Sequence, residues 1–415
     1  MSMVKYIRYY KTLLFFYKRH GLKHTILFLY YKFLERRARI NSGPGMAMFQ
    51  SEIEVFDIGS YKKDNAGFTA EVPEEQRKTI PFVWYVPYWT NVWGGGHLTI
   101  FRFAHMLMGM GNQNIIYIYN NAQRDAKTLE ADLALALPGH KLKVILTPQE
   151  MPENHVAFAT TWQSAYEVIK YSPRMKKIYF MQDYESHFYP FGTMSLQANA
   201  SYELGFHGIT GGTWLKECYE LHGGTANNYI FSTDHSIFYA RENMGSEIKR
   251  LFFYGRPSTE RRAYELGVEI LRQINKQYPE IEIVIAGLDG LKTLDFPAKL
   301  LGNLTLKETG ELYRRCDVGI ALSATNLSYL PVELMACGVP VITNNGPQVE
   351  WFCEHMKNSM VCDPFPSAFV DAITKLKESP ELRLSLAQGG IAKIAETSWE
   401  NEARKIMGYV REALV

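Results

Sequence analysis

Short apolar runs closed by glycine, proline or a polar turn alternate with segments of helical period from about residue 80 onward. Pro81–Tyr88, Asn114–Tyr119, Leu142–Leu146, Lys177–Met181 and Leu251–Tyr254 are such runs, and each is followed by a stretch long enough for a helix. Strands of this kind, apolar on both faces, belong in a sheet covered on both sides, and helical crossovers make that sheet parallel. The fold class is therefore α/β. With 415 residues and 47% hydrophobic composition the chain can build two domains with separate cores. Ligands of such sheets collect beyond the C-terminal strand ends, so polar residues there are the functional candidates.

One candidate is Ala324–Asn345, ATNLSYLPVELMACGVPVITNN. A polar loop leads into a helix expected from Pro331 to Cys337, which Gly338 stops before a strand over Val339–Thr343. Unpaired amides and the aligned peptide dipoles make such a helix start a phosphate or diphosphate site. Glu333, one turn inside, could accept from the hydroxyls of a sugar whose phosphates lie at the cap, or could be a solvated glutamate placed by the dipole alone. Upstream, the strand Leu251–Tyr254 breaks at Gly255, and Arg256 and Arg261 flank a Pro-Ser-Thr turn. Two cations beside an anion site could neutralise a leaving diphosphate; taken singly they are ordinary loop arginines.

Two other strand ends carry chemistry. Pro81–Tyr88 runs into Gly94-Gly95-Gly96 and a helix from His97, but Thr99 stands where a dinucleotide fingerprint needs glycine. Gly95 and Gly96 more simply let backbone approach a ligand closely. Lys177–Met181 ends in Gln182, Asp183, Tyr184 and Glu185. Gln182, Asp183 and Glu185 could bind sugar hydroxyls; Asp183 could serve as a general base in an inverting reaction, or cap the following segment.

Residues 1–40 hold ten of the 45 Lys and Arg against one acid, Glu35, leaving 35 basic against 42 acidic residues elsewhere. The cations alternate with aromatics in two helical pieces split near His20-Gly21. Their apolar runs are too short to span a bilayer and no small-residue cleavage site follows, so this arm reads as lying on an anionic membrane surface. With a net charge of +2 and no recognisable module, no nucleic-acid partner is expected. Five scattered cysteines without C-x-x-C spacing point to a reducing compartment, and no metal site or cofactor is expected. Residues 41–80 read as a linker with a strand near Ile53–Phe56, and a domain boundary falls at Ala240–Glu247.

In combination, GRxxxxR (Arg256, Arg261), IVIAGLDG (Ile283–Gly290), CDVGIALS (Cys316–Ser323) and PVELMACGVPVITNN resemble the donor half of GT-B glycosyltransferases. The resemblance is to the retaining family four, and within it to WsaF-type bacterial rhamnosyltransferases of polyrhamnan and S-layer glycan assembly. It implies two Rossmann-like domains facing across a cleft: an acceptor-side domain over 41–240, joined by a C-terminal helix at 398–415, and a donor domain over 241–397. It makes Arg256 and Arg261 the diphosphate clamp, with Arg261 where the family usually has lysine. Glu333 would hold the nucleoside sugar, Ser328, Tyr329 and Leu330 would offer amides to the phosphates, Gly287 would lie near the diphosphate, and Leu304 and Thr305 would flank the base. Gly95 and Gly96 would face the cleft. Thr325 departs from the family's E-x7-E pattern, whose first glutamate falls there. Retention needs no protein base, which leaves Asp183 a sugar-binding or electrostatic role. The activity implied is transfer of L-rhamnose from dTDP-rhamnose to a lipid-linked glycan acceptor, without metal, by a cytoplasmic enzyme peripheral on the inner face of the cell membrane. The alternatives are a GT-B nucleotide-sugar epimerase or hydrolase, and a non-catalytic nucleotide-sugar-binding scaffold.

Overall fold

The computed structural model describes residues 55–64, 72–121, 124–242, 247–288 and 294–414. The basic arm expected over 1–40 lies outside them. Two all-parallel sheets form the frame. The first contains β1 (Phe82–Val86), β2 (Asn114–Ile118), β3 (Lys143–Ile145), β4 (Val156–Ala159), β5 (Lys176–Met181), β6 (His207–Gly211) and β7 (Thr225–Tyr229), in spatial order 3-2-1-4-5-6-7. The second contains β8 (Arg250–Tyr254), β9 (Glu282–Ala286), β10 (Lys299–Leu300), β11 (Val318–Ala321), β12 (Val341–Asn344) and β13 (Ser359–Cys362), in order 10-9-8-11-12-13. These are the two Rossmann-like sheets that the alternating pattern predicts.

Strand position follows from burial on both faces: every residue of β1, β2, β4, β11 and β12 is buried. Trp84 of β1 stacks on Phe158 of β4 at 4.2 Å between centroids. Its indole N–H donates to the Asn114 side chain of β2 at 2.7 Å, so the central strands share one satisfied polar pair.

Three details depart from the expectation. Val55–Asp57 form no strand, and a helix occupies Ile58–Asp64 in the stretch read as linker. β4, between turn residues and the Thr161 helix cap, was not anticipated. β7 lies over the mixed Thr225–Tyr229, so that the more apolar run Tyr229–Phe231 contributes only its first residue to the strand, although its composition suits one better. Phe231 instead turns out of the sheet to stack on Tyr329, so its apolar character serves a contact with the second half of the molecule.

The segment 230–249 joins the sheets. The final helix, Trp399–Ala413, is capped by the Ser398 hydroxyl, which accepts from the Asn401 amide. It returns to the first sheet and packs on the Gly95–Met108 helix and on β6 and β7. Glu402, buried in that contact, accepts from the Ile230 amide at 2.9 Å. Among the described residues no helix is long and apolar enough to cross a membrane.

Candidate functional site

Both sheets reverse their strand order, between β1 and β4 in the first and between β8 and β11 in the second. Such a switch point opens a crevice beyond the strand ends. Gly94–Gly96 follow β1, Arg256 follows β8 and Thr325 follows β11, so the predicted residues converge because topology brings their strand ends together.

The two halves are joined there by a polar lock. Asn326 is fully buried. Its side-chain N–H groups donate to the carbonyls of Gln182 (3.0 Å) and Gly211 (2.6 Å), and its side-chain oxygen accepts from the Leu327 amide and the Trp351 indole, each at 3.0 Å. Asp183, from the end of β5, accepts from the Asn326 amide at 2.8 Å and the Thr325 hydroxyl at 3.1 Å. Its carboxylate also lies 3.3 Å from Arg261 and 3.9 Å from Arg262. Gly212 completes the contact: a side chain there would meet the Trp351 ring at 2.5 Å, and its φ of +91° already favours glycine.

The cations divide their roles. Arg261 lies between halves, its guanidinium 3.9 Å from the centroid of Phe188 and paired with Asp183. Arg262, which the sequence reading passed over, reaches the Ser323 hydroxyl and, at 3.2 Å, the Asn326 carbonyl. Burial pulls its guanidinium down to about 10 despite Asp183. Arg256 is exposed, and its side chain makes no hydrogen bond or ion pair among the described residues. Beside them starts the Tyr329–Ala336 helix, with Ser328 at its N-cap and no side-chain cap bond. The amides of Ser328, Tyr329 and Leu330 have no partner among the described residues, and Pro331 contributes none. The unpaired Arg256 side chain and the free amides thus follow neighbouring strands, β8 and β11, beside the switch point.

A cavity of about 140 Å³ opens along the same helix. Tyr329 and Glu333, one turn apart, line it from the second half, with Leu306. Gly95, Thr99 and Arg102, on one face of the Gly95–Met108 helix, line it from the first, and Trp399 closes it. Tyr329 stacks on both Phe231 (4.6 Å) and Trp399 (5.6 Å). Burial raises the Glu333 carboxyl to about 8, against the opposing influence of the Tyr313 hydroxyl and Arg102. Glu333 is therefore no solvated surface glutamate.

The other predicted residues are in more constrained places. Glu185 accepts from the Trp162 amide at 2.6 Å, so it caps the Trp162–Tyr171 helix, and burial raises its carboxyl to about 8. Gln182 donates to the Gly96 carbonyl at 2.9 Å and so fixes the glycine turn from β5. The Gly287 amide donates to the Gly302 carbonyl at 3.2 Å, and a side chain at Gly287 (φ +81°) would strike the Tyr254 ring at 2.3 Å. Thr305 caps the Leu306–Tyr313 helix in a reciprocal box with Glu308, while Leu304 packs against the core. Arg102, Arg262 and Asn326 escaped sequence reasoning. Only Arg262 had a local signal, its adjacency to Arg261.

The chain resembles known proteins along most of its length. The family model described as "WsaF, C-terminal domain" matches residues 249–374. The O-antigen biosynthesis protein RfbC of Myxococcus xanthus is 35% identical over 339 residues, covering 78% of this chain and 26% of that protein. A phosphatidyl-myo-inositol mannosyltransferase of Propionibacterium freudenreichii is 29% identical over 121 residues, 28% of this chain and 32% of its own length. The chain thus spans between a quarter and a third of the curated relatives it matches. Sucrose-phosphate synthase from Thermosynechococcus elongatus superposes with a TM-score of 0.65 at 14% identity, covering 80% of this chain and 98% of that one. The fold is GT-B. Anabaena HepE in complex with UDP and glucose (TM-score 0.63, 14% identity, 79% and 98% covered) and WaaG, a glycosyltransferase involved in lipopolysaccharide biosynthesis (0.58, 12%, 80% and 99%), share it.

Proposed function

We propose that this protein is a glycosyltransferase of surface-glycan assembly that takes a sugar from a nucleotide-sugar donor to a glycan acceptor. The observation that carries it is the placement of the unpartnered Ser328–Leu330 amides after β11 and of Arg256 and Arg261 after the neighbouring β8, at the switch point of a GT-B fold. The likeness to RfbC over most of the chain supports the glycan context. The resemblance of the donor-half motifs to WsaF-type rhamnosyltransferases, in the region 249–374 that the WsaF C-terminal domain model matches, is the ground for taking dTDP-rhamnose as donor and L-rhamnose as the sugar transferred.

In this reading the amides and arginines stabilise the departing diphosphate, placing fixed positive charge where negative charge develops. Asp183 is engaged by Arg261, Thr325 and Asn326, which suits a retaining reaction in which the leaving phosphate, rather than a protein base, takes the acceptor proton. Residues 1–40 would hold the enzyme peripherally on the cytoplasmic face of an anionic membrane; loss of anionic-vesicle binding on their deletion is the expected result.

Thermal-shift titration with dTDP-rhamnose, UDP-glucose and GDP-mannose, with and without EDTA, tests the donor. Stabilisation selective for dTDP-rhamnose and insensitive to EDTA is expected; no response to any sugar nucleotide overturns the donor site. Arg256→Ala is expected to lower kcat/KM about 100-fold, and full activity in that variant excludes the clamp.

A further inference from the structure

The cavity beside Glu333 holds a cation that the mechanism above does not use. Arg102 is half-buried, lies 4.5 Å from the centroid of the Trp399 ring, and its side chain makes no hydrogen bond or ion pair among the described residues. Burial lowers the affinity of its guanidinium for the proton even though Tyr329, Asp234, Glu333 and Glu400 oppose this. A desolvated arginine with unused donors is costly unless something arrives to accept them. The cation–π contact with Trp399 holds the guanidinium beside the cavity before any ligand comes.

Glu333 faces the same cavity from the other half, and its carboxyl makes no bond to the Arg102 guanidinium. The Gly95–Met108 helix carries Arg102, and the Tyr329–Ala336 helix carries Glu333. Each belongs to a different sheet, and the lock at Asn326 keeps those sheets in register. The cavity that the two side chains line exceeds what a single water needs. Arg102 offers it donors only and Glu333, once ionised, acceptors only, with Asp234 and the Ser232 and Thr233 hydroxyls also on its wall. A hydroxyl is the ligand group that satisfies both: its oxygen accepts from the guanidinium and its proton goes to the carboxylate. Leu306 and Tyr329 add apolar wall, against which the C–H face of a furanose ring can pack.

We propose that Arg102 is a specificity-determining residue for the donor nucleoside, holding with Glu333 the 3′-hydroxyl of its pentose from opposite sides. The inference rests on the reading of the cleft as a nucleotide-sugar site. It makes nucleoside recognition a two-domain event, with one contact supplied by the half that otherwise serves the acceptor.

The test is isothermal titration of the full chain with dTDP and with its 3′-deoxy analogue, and likewise with UDP and 3′-deoxy-UDP, in wild type, Arg102→Met, Arg102→Lys and Arg256→Ala. Wild type is expected to prefer the hydroxylated ligand about tenfold, a difference of ~1.4 kcal/mol. Arg102→Met is expected to bring that ratio close to one, while Arg256→Ala weakens both ligands and keeps the ratio. If Arg102→Met does not fold, Arg102→Lys reads the same ratio with the charge kept and the fork removed. A ratio unchanged in the Arg102 variants, or absent in wild type that binds dTDP or UDP, overturns the assignment. Wild type binding none of the four ligands overturns the donor-site reading itself.

Discussion

The two zones where the halves of this protein meet are built on opposite plans. At Asn326 the polar side chain is sealed from water and its donors and acceptor are all partnered. At the Arg102–Glu333 cavity, a guanidinium and a carboxyl sit in partial burial without bonding to each other. A saturated network has nothing left to offer a ligand and fixes geometry instead. An unsaturated one carries a cost that binding can relieve, which is why such places mark function.

The sharpest way to break this contrast is Asn326→Ala. It strips the Asn326 donors from the Gln182 and Gly211 carbonyls at a sealed site and leaves the Trp351 indole with the Gln348 carbonyl alone, and about 3 kcal/mol of stability should be lost in urea unfolding. A variant within 0.5 kcal/mol of wild type would show that water replaces the lock at no cost.

Asp183→Asn is a milder cut. The amide keeps an acceptor for the Asn326 N–H but leaves Arg261 and Arg262 without a counter-charge. About 1–2 kcal/mol is expected from the same measurement, because Arg261 is partly solvated. Unchanged stability would mean that the ion pairs there contribute nothing net.

The smallest effect belongs to the cavity. Glu333 keeps its proton to about 8 when folded, whereas the unfolded chain gives it up in the ordinary carboxyl range. Between those limits the folded state binds more protons, so wild-type stability falls as pH rises. Glu333→Gln carries no such proton. The Tm of Glu333→Gln relative to wild type should therefore rise by a few degrees from pH 5 to pH 8, with Glu185 cancelling between the two proteins. A constant difference across that range would place Glu333 in water.

Strand ends were legible because buried parallel strands advertise themselves as apolar runs, and Arg256, Arg261 and Glu333 followed from their positions beyond those ends. β4 was not, since its four residues, Val156–Ala159, are too few to show a period. Glu185 looked like a ligand residue from its place after β5, yet it caps a helix that begins more than twenty residues earlier. Arg102 lay on a helix face where sequence alone shows only a cation among apolar neighbours.

By itself, then, the sequence determined the alternation of strands and helices, their parallel order and the strand ends at which chemistry gathers, because each depends on hydrophobic period and on neighbouring caps and glycines. Tertiary structure alone decided which of those polar residues are occupied and which are free. Asp183 and Asn326 lie more than 140 positions apart, and no local rule links them. Whether a carboxylate becomes a lock, a cap or a ligand depends on which donors long-range packing delivers to it, and on how much water that packing leaves behind.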